Sequence, residues 1–237
     1  MSKVARSITE IDIPKEIYES VSKAALIQSD FTGFSNLAEG VTVIAAGAGA
    51  GSAAPTSGFD FTDHPGVWQL NTGTTAAGRV FILSRVDSLI LGANLTRSGT
   101  ILRTGALSTG AQRYTIRSGF YSINLPNVII EGVGFEYNDA ENGGRWQAIA
   151  HNGTETSVDT GITVAANTWY NLEFEVNAAG TSIEYFIDGV SVATIVTNIP
   201  TGTGFGLFYN THIMKLIGTT TTPLYVDHYY IYQEVTR

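Results

Sequence analysis

W-Y-N-L-E-F-E-V-N-A-A-G-T-S-I-E-Y-F-I-D-G-V-S-V-A-T-I, residues 169–195, alternates with period two on both sides of a turn. In an extended chain Leu172, Phe174 and Val176 point one way, and Asn171, Glu173 and Glu175 the other. After Ala178-Ala179-Gly180 the alternation resumes with Ile183, Tyr185 and Ile187. Asp188-Gly189 then supplies a tight hairpin turn, because glycine adopts positive φ without a Cβ clash. Alternation requires one wet face and one buried face, so these strands belong to an antiparallel sheet packed on a second layer.

Outward from this stretch, further strand candidates recur at the intervals of a β-sandwich: residues 66–70, 79–83, 88–91, 101–107, 112–118, 128–137, 146–151, 204–208 and 224–234. The intervening loops are rich in Gly, Thr and Asn, and no fixed-period repeat points to a β-helix or propeller. In the last candidate, strict alternation puts Leu224, Val226, His228, Tyr230 and Tyr232 on one face and Tyr225, Asp227, Tyr229 and Ile231 on the other. Two apolar-aromatic faces predict a central strand, or one face against a partner.

The chain has 237 residues, enough for a full β core without staples. It has no cysteine, so disulfides and thiolate metal sites are excluded. Charged residues are only 14%, a composition that suits folds meeting other protein surfaces. The net charge of −8 argues against a nucleic-acid grip, which needs basic side chains on phosphates. No apolar run approaches a membrane span. Acidic residues at Glu10 and Asp12 interrupt the start of the chain and argue against a secretory signal.

Residues 1–30 differ in composition from the rest. Pro14 can open a helix, Ile17, Val21 and Ala24 recur at helical spacing, and Glu19 with Lys23 forms a favourable i,i+4 pair. A helix of about three turns is marginal alone in water, so it needs its own domain or a neighbouring subunit. It reads equally as a capping helix or as an attachment arm through Ile17, Val21 and Ala24. Residues 43–54 are Ala/Gly-rich and read as a surface loop, or as close-packed backbone at a subunit contact. The expected division is therefore 1–54, an N-terminal arm or adaptor, and 55–237, the sandwich.

The hairpin stretch resembles the central hairpins of laminin-G-like, concanavalin-A-like jelly rolls, in the version found in tailed-bacteriophage virion proteins. Three further runs carry the same resemblance: H-P-G-V-W-Q-L-N-T-G-T-T-A-A-G-R (64–79), G-V-G-F-E-Y-N (132–138) and Y-V-D-H-Y-Y-I-Y-Q-E (225–234). The resemblance implies an all-β, two-sheet antiparallel jelly-roll sandwich with a short N-terminal helical arm. It also implies a place in a virion, as a head fibre, capsid decoration or tail module assembled in the host cytoplasm. Capsid or tail proteins are then the partners, and a homotrimer the assembly. The same fold hosts lectins and glycosidases, so it does not dictate function.

Catalytic constellations are thin. Glu131, Glu136, Asp139 and Glu141 cluster at a strand end, but Glu136 and Asp139 are three apart and face opposite ways on a regular strand. Paired glycosidase carboxylates need one face and a separation of ~5–5.5 Å for retention. Glu173 and Glu175 share a face, flanked by Asn171 and Asn177 as in a solvated surface. His64, His151, His212 and His228 lack metal-ligand spacing, and no G-x-S-x-G element occurs. Asp139, Asn142, Asp159 and Asn167 are candidate rim calcium donors without an ordered ligand loop. The expectation is a non-enzymatic protein without cofactor or metal. Sugar-ring or partner contacts fall to aromatic side chains, with Trp146, Tyr209 and Tyr229 as candidates and Tyr225 beside them. The alternatives are a carbohydrate-binding receptor-recognition module that reads a host surface glycan, and a glycan hydrolase or lyase.

Overall fold

The computed structural model describes residues 24–29, 41–46, 51–55, 64, 66–84, 89–124 and 128–234. In chain order the described strands open with β1 (Ala24–Ser29), β2 (Val41–Ala46), β3 (Ser52–Pro55), β4 (Trp68–Asn71) and β5 (Arg79–Ser84). β6 (Thr96–Thr104), β7 (Arg113–Asn124), β8 (Val128–Asn138), β9 (Arg145–Asn152) and β10 (Glu155–Thr163) follow. The chain continues with β11 (Trp169–Val176), β12 (Ile183–Ile187), β13 (Val190–Ile195), β14 (Phe208–Ile217) and β15 (Pro223–Glu234). Sheet A runs β13-β12-β11-β6-β15-β4-β3, with β1 also paired to β15; sheet B runs β10-β9-β8-β7-β14-β5-β2. The named strand pairs are antiparallel. The expected two-sheet sandwich is therefore the observed architecture.

The opening hairpin forms as its pattern predicts. Leu172 lies opposite Ile187, Phe174 opposite Tyr185 and Val176 opposite Ile183, all facing inward. Asp188 and Gly189 both adopt positive φ, 52° and 76°, and turn β12 into β13.

The N-terminal third departs from expectation. Ile17 and Val21, and with them most of the predicted helix, lie outside the described residues. Ala24 is the first residue of strand β1, opposite Glu234, not a helical position. The Ala/Gly-rich run read as a loop contributes to two strands, β2 beside β5 and β3 beside β4. Small side chains leave little periodic signal, and it is pairing that makes these segments extended.

Aromatic pairs join the two sheets. Phe120 meets Phe174 edge-on at 5.1 Å, Phe135 meets Tyr185 at 5.3 Å and Trp146 meets Tyr170 at 5.6 Å. Tyr209 on β14 stacks on Tyr229 of β15 at 4.3 Å. Its hydroxyl hydrogen-bonds Thr100 (3.0 Å) and Thr211 (2.6 Å), and Ser118 closes the buried cluster. This corrects the assignment of Trp146, Tyr209 and Tyr229 to a sugar or partner contact. All three are 0% exposed, inside the sandwich, with no face available to solvent.

Tyr229 is misassigned because β15 does not alternate strictly. Val226 lies opposite Leu102 and His228 opposite Ile101, so Asp227 is an extra residue in a bulge. The bulge switches phase: Leu224, Val226, Tyr229 and Ile231 all face inward, and Tyr225, His228, Tyr230 and Tyr232 are half-exposed. The interior therefore takes one apolar set from β15, not two. Deleting Asp227 should turn one half of that set outward, costing about 3–6 kcal/mol for two large side chains, whereas Asp227→Ala should cost about 1–2 kcal/mol. Urea denaturation of the two variants against wild type checks this; similar losses would rule out the phase-switch account.

Candidate functional site

The outer face of sheet A carries an aromatic and carboxylate surface. Alternation on β11 turns Trp169, Asn171, Glu173 and Glu175 outward while Tyr170, Leu172, Phe174 and Val176 fill the core. Glu173 and Glu175, which sequence reads as a solvated face, have partners. Tyr230 donates its hydroxyl hydrogen to Glu173 Oε1 at 2.9 Å, and Arg97 Nε donates to Glu175 Oε2 at 2.6 Å. Gly99 makes the first contact possible: a Cβ there would come within 2.3 Å of the Tyr230 ring, so only glycine lets that ring cross β6. Burial, reinforced by the Glu173 carboxylate, pushes the Tyr230 phenol up and keeps it a donor. With Phe186 these groups line a cavity of about 310 Å³.

The surface continues along the strands. The His64 ring stacks on Trp169 at 3.9 Å, and its Nδ1 is 2.8 Å from Asp227 Oδ2, the bulge residue. The Arg103 guanidinium lies 5.3 Å from the centre of the Tyr225 ring, whose hydroxyl accepts from Gln69 Nε2 at 3.3 Å. From Trp169 to Glu175 the face extends ~20 Å at the rise of a β-strand. Half-buried rings beside carboxylate and guanidinium groups can pack on the C–H face of a sugar and hydrogen-bond its hydroxyls.

Sheet B presents a polar row across its outer face: Phe81, His212, Arg117, Glu136 and Gln147 lie in register on β5, β14, β7, β8 and β9. Arg117 Nε donates to Glu136, and Arg117 also lies 3.7 Å from Glu155. Burial pushes the Glu136 carboxyl up against the opposing pull of Arg117. His212 packs on Phe81 at 4.8 Å with Nδ1 2.9 Å from Asn210 Oδ1. Burial, and then the Arg117 and Arg79 guanidiniums, push its pKa down to about 3. The ring is therefore neutral, with its proton on Nδ1 donated to Asn210.

The remaining sequence candidates do not converge. Asp139 is held by Arg113 at 3.0 Å, Glu141 accepts from Asn138 Nδ2 at 3.0 Å, and Glu131 lies across from Ser122 and Asn152. Of the suggested calcium donors, Asp159 is held by Arg145 at 2.8 Å, and Asn142 donates its Nδ2 hydrogen to Gln147 Oε1 at 2.6 Å. Asn167 takes a left-handed turn at φ 55°. His151 and His228 sit on different sheets, half-exposed. Among the described residues no group of three His, Asp or Glu could hold a metal ion. Sequence reasoning missed Arg97, Phe186 and Tyr230; the alternation of β12 carried a signal for Phe186, whereas the phase change in β15 hid Tyr230.

Residues 63–227 match the family described as SO2946-like, C-terminal domain, and the chain belongs to it. No curated protein matches in sequence. Among solved structures, a protein of unknown function, SO2946, from Shewanella oneidensis MR-1 is similar at TM-score 0.66 and 13% identity, covering 98% of this chain and 99% of that one. Domain 4 of AbnA, an extracellular arabinanase from Geobacillus stearothermophilus solved with arabinotriose, is similar at TM-score 0.57 and 14% identity, covering 91% and 95%. A carbohydrate esterase of the Shiga toxin-encoding bacteriophage phi24B is similar at TM-score 0.53 and 12% identity, covering 84% and 91%. At these identities the likeness shows the fold alone, a jelly roll that recurs in carbohydrate-binding and glycan-active proteins.

His212 gives this architecture a pH signature. Its folded pKa lies below the unfolded value of 6.5, so the unfolded chain takes up a proton that the folded one refuses. Stability should be full above pH 6.5 and fall as pH drops toward 3, by about 1.4 kcal/mol per unit from this residue. His212→Gln should flatten that part of the profile, measured as the wild-type-minus-variant difference in unfolding free energy between pH 7 and about pH 4; a pH-independent difference would refute the assignment.

Proposed function

We propose that this chain is a non-catalytic glycan-binding module that recognises neutral sugars on the outer face of sheet A. The carrying observation is the cavity where Phe186 and Tyr230 lie beside Glu173, Glu175 and Arg97. Aromatic faces and planar polar groups are the two chemistries a sugar ring needs. Carboxylates on that face disfavour acidic sugars. The arabinotriose-bound domain of similar fold supports the class of ligand. The partners held by Glu136, Asp139 and Glu141 support a protein without a glycosidase carboxylate pair. Titration calorimetry with neutral oligosaccharides should show binding at millimolar concentration or tighter. Phe186→Ala and Trp169→Ala should each weaken it by about 10-fold, the loss of one stacked ring, without changing the melting temperature by more than a few degrees. No binding to any neutral glycan, or binding untouched by both substitutions, would refute the site.

The module's setting, in our reading, is a tailed-phage virion, as head fibre, capsid decoration or tail component. The phage origin of a protein with similar fold supports this, together with the sequence resemblance. In this reading residues 1–30 carry attachment and the assembly is a homotrimer of the 25.3 kDa chain. Gold-labelled antibody against the chain should decorate intact particles, and light scattering should give the mass of three chains. Unlabelled particles would refute the virion setting, and a single-chain mass at all concentrations would refute the assembly.

A further inference from the structure

We propose that the outer face of sheet B holds a second binding site, for an oxyanion group such as a carboxylate or sulfate, formed by Arg79 on β5 and Asn210 on β14. Arg79 is only 9% exposed, yet among the described residues no carboxylate forms an ion pair with it. Its Nε has no hydrogen-bond acceptor. Asn210 is 0% exposed; its Oδ1 accepts a hydrogen bond from His212 Nδ1, and its Nδ2 is left without an acceptor. A buried guanidinium Nε–H and a buried amide N–H, neither with an acceptor, are costly unless something supplies one.

Both side chains lie on one face. Arg79 is opposite Met214, His212 is opposite Phe81, and Asn210 is opposite Leu83, so the two donors flank the Phe81–His212 pair. Arg117 is engaged by Glu136 and Glu155 and leaves Arg79 as the uncompensated charge. The positive charge of Arg79 and Arg117 also helps to hold His212 neutral. An anion suits this field, whereas a neutral hydroxyl or water would leave the guanidinium charge uncompensated. Half-exposed Met214 and Arg117 open the neighbourhood to solvent. The oxyanion can arrive free or carried on an acidic glycan, and the site stands independently of the neutral-sugar surface on sheet A.

The test uses the full chain in thermal denaturation and calorimetry. Sodium sulfate, an oligogalacturonate and a neutral oligosaccharide are compared at ionic strength matched with sodium chloride. Sulfate or galacturonate should bind saturably and raise the melting temperature by several degrees beyond chloride. Tighter binding of galacturonate identifies an acidic glycan as the source; sulfate alone identifies a free anion. Arg79→Met should abolish the anion response while melting at or above wild type, because it removes an uncompensated buried charge, and should keep neutral-sugar binding on sheet A. Asn210→Ala, read by calorimetry, should weaken the anion at least 10-fold, and it keeps the test decisive if Arg79→Met fails to fold. No saturable response to either anion, or an undiminished response in the variants, would overturn the proposal.

Discussion

The constraint on which the rest depends is that β15 must bury one continuous apolar set while it joins three neighbours. β6 pairs along one side; β4 and β1 divide the other between them. Strict alternation from Leu224 would send Tyr229 and Ile231 to solvent and His228 and Tyr230 inward. One extra residue at Asp227 corrects the phase. The same insertion brings Tyr229 onto Tyr209, turns Tyr230 toward Glu173, and leaves the Asp227 carboxylate to meet His64. Core and candidate sugar surface thus share one origin.

Between the sheets, apolar packing and polar specificity are combined. The ring pairs at 4.3 to 5.6 Å bring large apolar surfaces together and set the spacing of the layers. The Tyr209, Thr100, Thr211 and Ser118 hydroxyls satisfy one another where no water is needed. Such a cluster tolerates little sliding of β6 against β14, because any shift would strand a buried hydroxyl.

Alternation made β11 and β12 legible, down to the turn at Asp188-Gly189. It failed on β15 because a bulge is a change of phase that no residue announces, and the same failure put Tyr229 on the wrong face. Trp146 could have been read correctly: Trp146, Ala148 and Ala150 repeat with period two toward the core. β10 escaped notice because threonine, serine and glycine dominate it where sheet pairing, not hydropathy, holds it; most of β14 was missed although Tyr209, Thr211 and Ile213 alternate toward the core. The sugar surface was half legible. Glu173 and Glu175 stood out as a pair, but their meaning depends on Arg97 and Tyr230, brought from strands distant in sequence. Arg79 and Asn210 gave no signal, since lacking a partner is a property of the folded neighbourhood alone.

The position of β15 also bears on how the chain reaches its fold. The last of the strands in sequence lies in the interior of sheet A, between β6 and the β4–β1 side. During translation, β11, β12 and β13 can join β6, but that ribbon and β4 with β3 remain separate until β15 emerges. The edge of β6 that awaits β15 therefore stays open on the nascent chain, a surface suited to chaperone capture and to pairing with a neighbouring polypeptide. Non-local closure of this kind makes slow folding the expectation, with completion of sheet A as its final step.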